Sequence, residues 1–91
     1  MTVYAICFEL SAEYNQEDFF STLVSIGDGA PVTTTMWIVK SEKTAKEIRD
    51  ELYSIMAPEE RVMVMKSASP AAWKNVLCDN KWLVENISNK F

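Results

Sequence analysis

The chain has 91 residues, 48% of them hydrophobic and 24% charged, a balance typical of one soluble globular domain, so residues 1–91 are predicted to form a single domain. It contains no histidine, which excludes a Ser–His or Cys–His nucleophile within one chain. Its net charge of −4 disfavours a general nucleic-acid-binding surface, because such surfaces are basic.

The first predicted element is an uncharged apolar strand, Val3 to Phe8, that ends on a single acid, Glu9. Successive side chains of a strand point to opposite faces. One face therefore carries Val3, Ala5, Cys7 and Glu9, and the other carries Tyr4, Ile6, Phe8 and Leu10. Residues 11–15 follow as a predicted loop, in which Ser11 or Asn15 can cap the next helix.

A helix is predicted next, because apolar residues recur at helical spacing. They are Phe19, Leu23 and Ile26, with Phe20 and Val24 beside them. The segment Gly27-Asp28-Gly29 is predicted to end this helix with a left-handed residue. The stretch from Ala30 to Lys40 is long and rich in β-branched residues, so we predict two extended arms joined by a bend or tight hairpin near Thr34 to Met36.

A second helix is predicted after Ser41-Glu42-Lys43-Thr44, with Pro58 as its stop. Its buried face would carry Ala45, Ile48, Leu52 and Ile55. The segment Arg61 to Lys66 is apolar on both faces, which predicts a strand in the interior of the sheet.

Two short helical pieces are predicted at the end of the chain. Ser69-Pro70 would open the first, with Trp73, Val76 and Leu77 on its apolar side. After a break at Asp79-Asn80, residues Lys81 to Ile87 would form another turn or two.

The predicted order βαββαβ indicates an α+β, ferredoxin-like sandwich with both helices on one face and an extra C-terminal helical segment. The C-terminal segment would cover part of the opposite face. A second copy of the chain would cover the rest, because a contiguous apolar patch is uncommon on a soluble monomer. A homodimer is therefore expected.

Neither a membrane segment nor a secretory signal is expected. No apolar run approaches the ~20 residues of a membrane span, and no basic segment precedes the first apolar stretch. The two cysteines, Cys7 and Cys78, have no motif spacing. Reduced thiols and a cytoplasmic protein are the resulting expectation.

Three segments also carry a resemblance. They are Val3–Leu10, Met36-Trp37-Ile38-Val39-Lys40 with the helix around Glu47-Ile48-Arg49-Asp50, and Ala72-Trp73 with Lys81-Trp82-Leu83. Together they resemble the superfamily of the small CRISPR-associated adaptation nuclease and the virulence-associated protein D (VapD) toxins, and within it a SinR-like branch. In the nuclease members the first strand ends on an Asp that binds a divalent metal between two protomers. Glu9 occupies the matching position, so the resemblance implies a dimer-shared metal site there.

Glu9 is accordingly the candidate catalytic and metal-binding residue, where two symmetry-related carboxylates would hold a hydrated Mg²⁺. The alternative is a strand-end acid that is solvated or paired with a lysine or arginine. We expect this alternative, with no cofactor bound. The candidate binding residues are Ser11, in the loop after Glu9, and Lys40, in a small basic cluster with Lys43 and Lys46.

Three functions follow from these observations. The first is a dimeric, non-catalytic interaction module of the family, which would contact a protein partner. The second is a Mg²⁺-dependent endonuclease that cleaves RNA or DNA with Glu9. The third is a small acidic inhibitor that covers the nucleic-acid site of another protein. The acidic charge, the missing histidine and Glu in place of Asp favour the first.

Overall fold

The structure is a computed structural model that describes residues 1–11, 16–67 and 71–87. Its elements are β1 (Thr2–Glu9), α1 (Gln16–Ile26), β2 (Asp28–Thr33), β3 (Met36–Ser41), α2 (Ala45–Tyr53), β4 (Arg61–Lys66) and α3 (Asn80–Asn86). The strands form one antiparallel sheet in the order β2-β3-β1-β4. The predicted α+β class and the tight connection between β2 and β3 are confirmed.

The alternation of β1 divides the core into two clusters. Tyr4, Ile6 and Phe8 pack with α1 and α2 on one face of the sheet. The helices contribute Phe19, Leu23, Ile26, Ile48 and Leu52 to this cluster. Fully burying an aliphatic or aromatic side chain stabilises a fold by about 1.5–3 kcal/mol, so this face supplies most of the apolar driving force.

The opposite face of the sheet is covered in part by the end of the chain. Ala5, Val32 and Ile38 form a second buried cluster with Leu83 of α3. Trp73 and Trp82 pack against its edge. The prediction that the C-terminal segment covers part of this face is therefore confirmed, and the covered part is the half with β2 and β3.

The glycine at the α1–β2 junction has another role than the predicted one. Neither glycine of the chain has a positive φ. A Cβ on Gly27 would instead collide with the backbone oxygen of Lys40. The prediction of a left-handed helix end is wrong, and glycine is needed here because two backbones approach closely.

The prediction that β4 lies inside the sheet is also wrong. β4 pairs with β1 and is an edge strand. Val62 and Val64 pack towards α1 and α2, whereas Met63 and Met65 on the other face are 60% and 51% exposed. The two-sided apolar pattern thus arises from an exposed pair of methionines and not from burial on both faces.

The helical predictions near the end of the chain are partly wrong. Residues 71–79 contain no helix, while Ser69 and Pro70 lie outside the described residues. Asn75 has a left-handed φ of 53°, and the Leu77 N–H donates to the Val32 oxygen at 3.0 Å. This segment therefore contacts β2 and does not form a helix. The next turns are confirmed as α3, which Asp79 caps through the Lys81 N–H.

The second helix is shorter than predicted. α2 ends at Tyr53, before Pro58, and Ile55 lies beyond its last turn although it still packs against the core. The loop that would cap α1 includes residues 12–15, so the Asn15 cap lies outside the described residues.

Candidate functional site

An open groove of about 570 Å³ lies at the Glu9 end of β1, beside the second face of the sheet; Phe8 and Val62 also line it, and no residue of the C-terminal segment does. Its floor is lined by Cys7, Met36 and Met63, and we call it the methionine groove. Glu9, Arg61, Thr33 and Thr35 form its polar rim. An apolar floor with a few polar groups at its rim is typical of a binding site.

The strand register explains why three sulfur-containing side chains meet in the groove. Cys7 of β1 lies opposite Met36 of β3 on one side and opposite Met63 of β4 on the other. Directly opposed residues on antiparallel strands share a face and lie within side-chain contact. The three side chains therefore form one row across neighbouring strands. Met36 and Met63 are flexible and polarisable, so they can adapt to a partner surface.

Glu9 lies at the rim of this groove and contacts the guanidinium group of Arg61. Its Cα is paired with that of Arg61 across β1 and β4. Arg61 Nη1 donates to Glu9 Oε1 at 2.8 Å. The side chains are 67% and 78% exposed for Glu9 and Arg61, respectively, so this is a solvent-exposed ion pair. Such exposed ion pairs add about 0.2–1 kcal/mol to the free energy of unfolding.

Ser11 is held at the same end of β1 by another acid. Its N–H donates to Glu60 Oε2 at 2.6 Å, and the Ala57 N–H donates to Glu60 Oε1 at 2.8 Å. Gln16 Nε2 also donates to the Ser11 oxygen at 3.1 Å. Glu60 thus ties the end of β1 to the α2–β4 loop. Sequence reasoning missed it, because the Glu60–Ser11 contact joins residues 49 apart and has no local signal.

Lys40 does not belong to this site. It is paired with Val3, at the far end of β1 from Glu9, roughly 20 Å along the strand. Lys40 Nζ donates to Asn86 Oδ1 at 2.8 Å, so it fastens α3 to β3. Lys40 and Glu9 therefore lie at opposite ends of β1 and do not contribute to one site.

The other lysines of the basic cluster contact acids of α2. Lys43 Nζ lies 3.3 Å from Glu51, and Lys46 Nζ lies 3.4 Å from Asp50. The Arg49 guanidinium lowers the pKa of Asp50, with a smaller effect from Lys46. The local positive charge is thus matched by neighbouring carboxylates, and this surface lacks the basic excess that attracts a phosphate backbone.

The described residues contain no group of three or more His, Cys, Asp or Glu side chains that could hold a metal ion. Among the described residues, the side chain that forms an ion pair with Glu9 is that of Arg61. Burial raises the pKa of the Cys78 thiol, and the neighbouring Asp79 adds to the effect. This thiol therefore stays protonated at neutral pH and is a poor nucleophile.

Comparisons with known proteins give no match to a family model, to a curated protein or to a solved structure. Among the helices in residues 1–11, 16–67 and 71–87, none combines the length and the apolar character that a membrane span requires.

Proposed function

We propose that this protein is a homodimeric interaction module with a ferredoxin-like fold, akin to the VapD and SinR-like relatives of the small CRISPR-associated nuclease. The ion pair between Glu9 and Arg61 carries the proposal. In the nucleases that the sequence resembles, the acid at this position binds a metal. Here its carboxylate faces a guanidinium on the neighbouring strand, beside an apolar groove.

The fold part of the proposal rests on topology. The strand order β2-β3-β1-β4, antiparallel pairing throughout and the packing of α1 and α2 on one face all fit a ferredoxin-like arrangement. This arrangement leaves the second face to be covered by other means. We also propose a cytoplasmic location, because Cys7 and Cys78 are free thiols.

The interaction part rests on the uncovered surface. Met63 and Met65 are 60% and 51% exposed next to the methionine groove. Contiguous exposed apolar surface marks protein-contact sites, and methionine side chains adapt readily to a partner. A second copy of the chain and a further protein partner both suit such a surface. The net charge of −4 disfavours binding to RNA or DNA, whose partners usually carry a basic surface.

One observation favours the alternative, a Mg²⁺-dependent endonuclease with a metal shared across the dimer. The Glu9 side chain is 67% exposed at the end of a strand, and its ion pair is weak enough for a divalent cation to displace Arg61. Two such carboxylates and water could then hold Mg²⁺ or Mn²⁺, which prefer oxygen ligands.

A cleavage assay separates the two functions. Purified protein is incubated with single- and double-stranded RNA and DNA in the presence of Mg²⁺, Mn²⁺ or a chelator. We expect no metal-dependent cleavage by the wild type and a folded Glu9→Gln variant. Glu59→Gln, which neutralises an exposed acid in the α2–β4 loop, is the matched control. Cleavage that needs metal, is lost in Glu9→Gln and persists in Glu59→Gln would establish the nuclease instead.

A further inference from the structure

The two edges of the sheet are protected to different degrees. At the β2 edge, Pro31 lacks an N–H, the register shifts between Pro31 and Thr33, and Leu77 donates its N–H to the Val32 oxygen. A proline, a bulge and a covering segment each prevent edge-to-edge association. The β2 edge therefore carries three such devices.

The β4 edge carries none of them in its centre. From Arg61 to Lys66, β4 pairs with β1 without a register shift and contains neither proline nor glycine. Among the described residues, no strand pairs with its other side. Its charged residues, Arg61 and Lys66, stand only at the two ends. The four central residues, Val62 to Met65, present an apolar edge with free backbone groups.

This edge is also open to an incoming strand. A groove of about 410 Å³ lies between α2 and β4 and is lined by Ala45, Lys46, Arg49 and residues 62–64. Met63 belongs to the opposite face of the strand from Val62 and Val64. A groove that touches all three therefore follows the strand edge and not one face of the sheet.

We infer that β4 pairs antiparallel with β4 of a second copy of this chain, with Met63 opposite Met63. This inference rests on the proposed homodimer and specifies its interface. The register places Val62 opposite Val64 of the second copy, and Glu60 opposite its Lys66. Three apolar pairs, including Met63 with Met63, and two pairs of opposite charge are thereby formed about the two-fold axis, and Arg61 lies opposite Met65 of the second copy.

Other registers match less well. Centring the axis on Val64 keeps three apolar pairs, but it places Val62 opposite Lys66 and loses both pairs of opposite charge. A shift by one residue opposes side chains that belong to different faces of the sheet. Glu60 can take part although it already accepts two N–H bonds, because a carboxylate offers about four acceptor sites.

The pairing joins two sheets into one of eight strands, with α1 and α2 of both copies on the same side. The methionine grooves then lie next to each other on the opposite side. Their contact is formed by Met63 and Met65, which are the exposed apolar residues of the strand.

Disulfide trapping tests the register. In a Cys7→Ser, Cys78→Ser background, one variant carries Met63→Cys and a matched control carries Met65→Cys. Opposed residues have Cα atoms about 4.5–5.5 Å apart, within the range of a disulfide. Two residues at position 65 would be offset by about 13 Å along the strands. We expect a covalent dimer from Met63→Cys upon mild oxidation and little from Met65→Cys; the reverse result would overturn the register.

Light scattering tests the edge itself. Met63→Lys places two like charges at the axis and should yield a monomer, whereas Leu77→Lys alters an equally exposed residue away from the edge and should leave a dimer. Circular dichroism verifies that both variants are folded.

A dimer that survives Met63→Lys and fails to cross-link at position 63 would refute edge pairing but would leave the proposed homodimer intact. A wild-type monomer at tens of micromolar would overturn both proposals, since a micromolar dimer is populated there.

Discussion

At the scale of single residues, the acids near the end of β1 have different structural roles. Glu9 is exposed and its contact with Arg61 is open to solvent. Glu60 is half-buried and uses both carboxylate oxygens to hold backbone N–H groups of Ser11 and Ala57. An unpaired backbone N–H is costly away from water, so Glu60 has the larger effect on the fold although Glu9 has the more conspicuous position.

Replacing Glu60 should reveal this role. Glu60→Gln keeps the size of the side chain but offers an amide NH₂ to one of the two N–H donors. We expect the free energy of unfolding to fall by about 1.5–3 kcal/mol, the usual contribution of hydrogen bonds to a charged group. Urea denaturation measures it. The neighbouring Glu59→Gln should stay within about 0.5 kcal/mol of the wild type; equal stability of the two variants would contradict the assigned role.

At the scale of elements, α2 begins with a reciprocal cap. The Glu47 N–H donates to Thr44 Oγ1 at 3.1 Å, and the Thr44 N–H donates to Glu47 Oε1 at 2.8 Å. The hydrogen bond from the Thr44 backbone has the largest effect on the pKa of Glu47 and lowers it below its ordinary value, and the bond with the Thr44 side chain lowers it further. Burial raises this pKa to a smaller extent, and the charge of Lys43 has a still smaller, lowering effect. The charged carboxylate therefore favours the folded helix.

This cap should make stability depend on pH. Because the folded-state pKa is lowered, the contribution of Glu47 is present above its unfolded value, about 4.3, and is lost as the pH falls through the folded value. Glu47→Gln retains a side chain that can accept the Thr44 N–H but removes this titration. We expect the wild type to lose more stability than Glu47→Gln between pH 6 and pH 3 in urea denaturation. Parallel curves would show that the carboxylate charge is immaterial.

Local periodicity accounts for the elements that the sequence predicted well. Alternation fixed the two faces of β1, and the spacing of Phe19, Leu23 and Ile26 fixed the buried side of α1. The edge position of β4 was not predictable in this way, since a strand with apolar residues on both faces suits either an interior or an exposed edge. The position of β4 in the sheet is determined by contacts between residues far apart in sequence, such as Glu9 and Arg61.

In the candidate site, too, local features could be predicted from the sequence and long-range contacts could not. The position of Glu9 at the end of the first strand follows from the sequence, but its partner depends on which strand lies beside β1. The separation of Lys40 from Glu9 follows from the direction of β3, which runs antiparallel to β1. To predict the row formed by Cys7, Met36 and Met63, one would have to know the register of β1, β3 and β4. These relations are non-local and leave no pattern in a short segment.

At the scale of the whole molecule, the C-terminal segment decides how much of the second face stays open. Leu83 is fully buried against Ala5, Val32 and Ile38, while Lys40 and Asn86 join the same helix to β3. A seven-residue helix is too short to be stable by itself, so α3 depends on this contact. Its docking is thus a property of the complete fold.

Leu83→Ala should loosen this segment and enlarge the exposed apolar face. Truncating a fully buried leucine costs about 2–5 kcal/mol, because the loss of apolar burial is joined by a cavity. We expect that loss in urea denaturation, together with increased binding of a hydrophobic dye, since Ala5 and Ile38 would become accessible. Leu77→Ala, at a leucine that is 61% exposed, should change the stability by about 0.5 kcal/mol or less. If both variants retain wild-type stability and dye binding, α3 does not cover the sheet in solution.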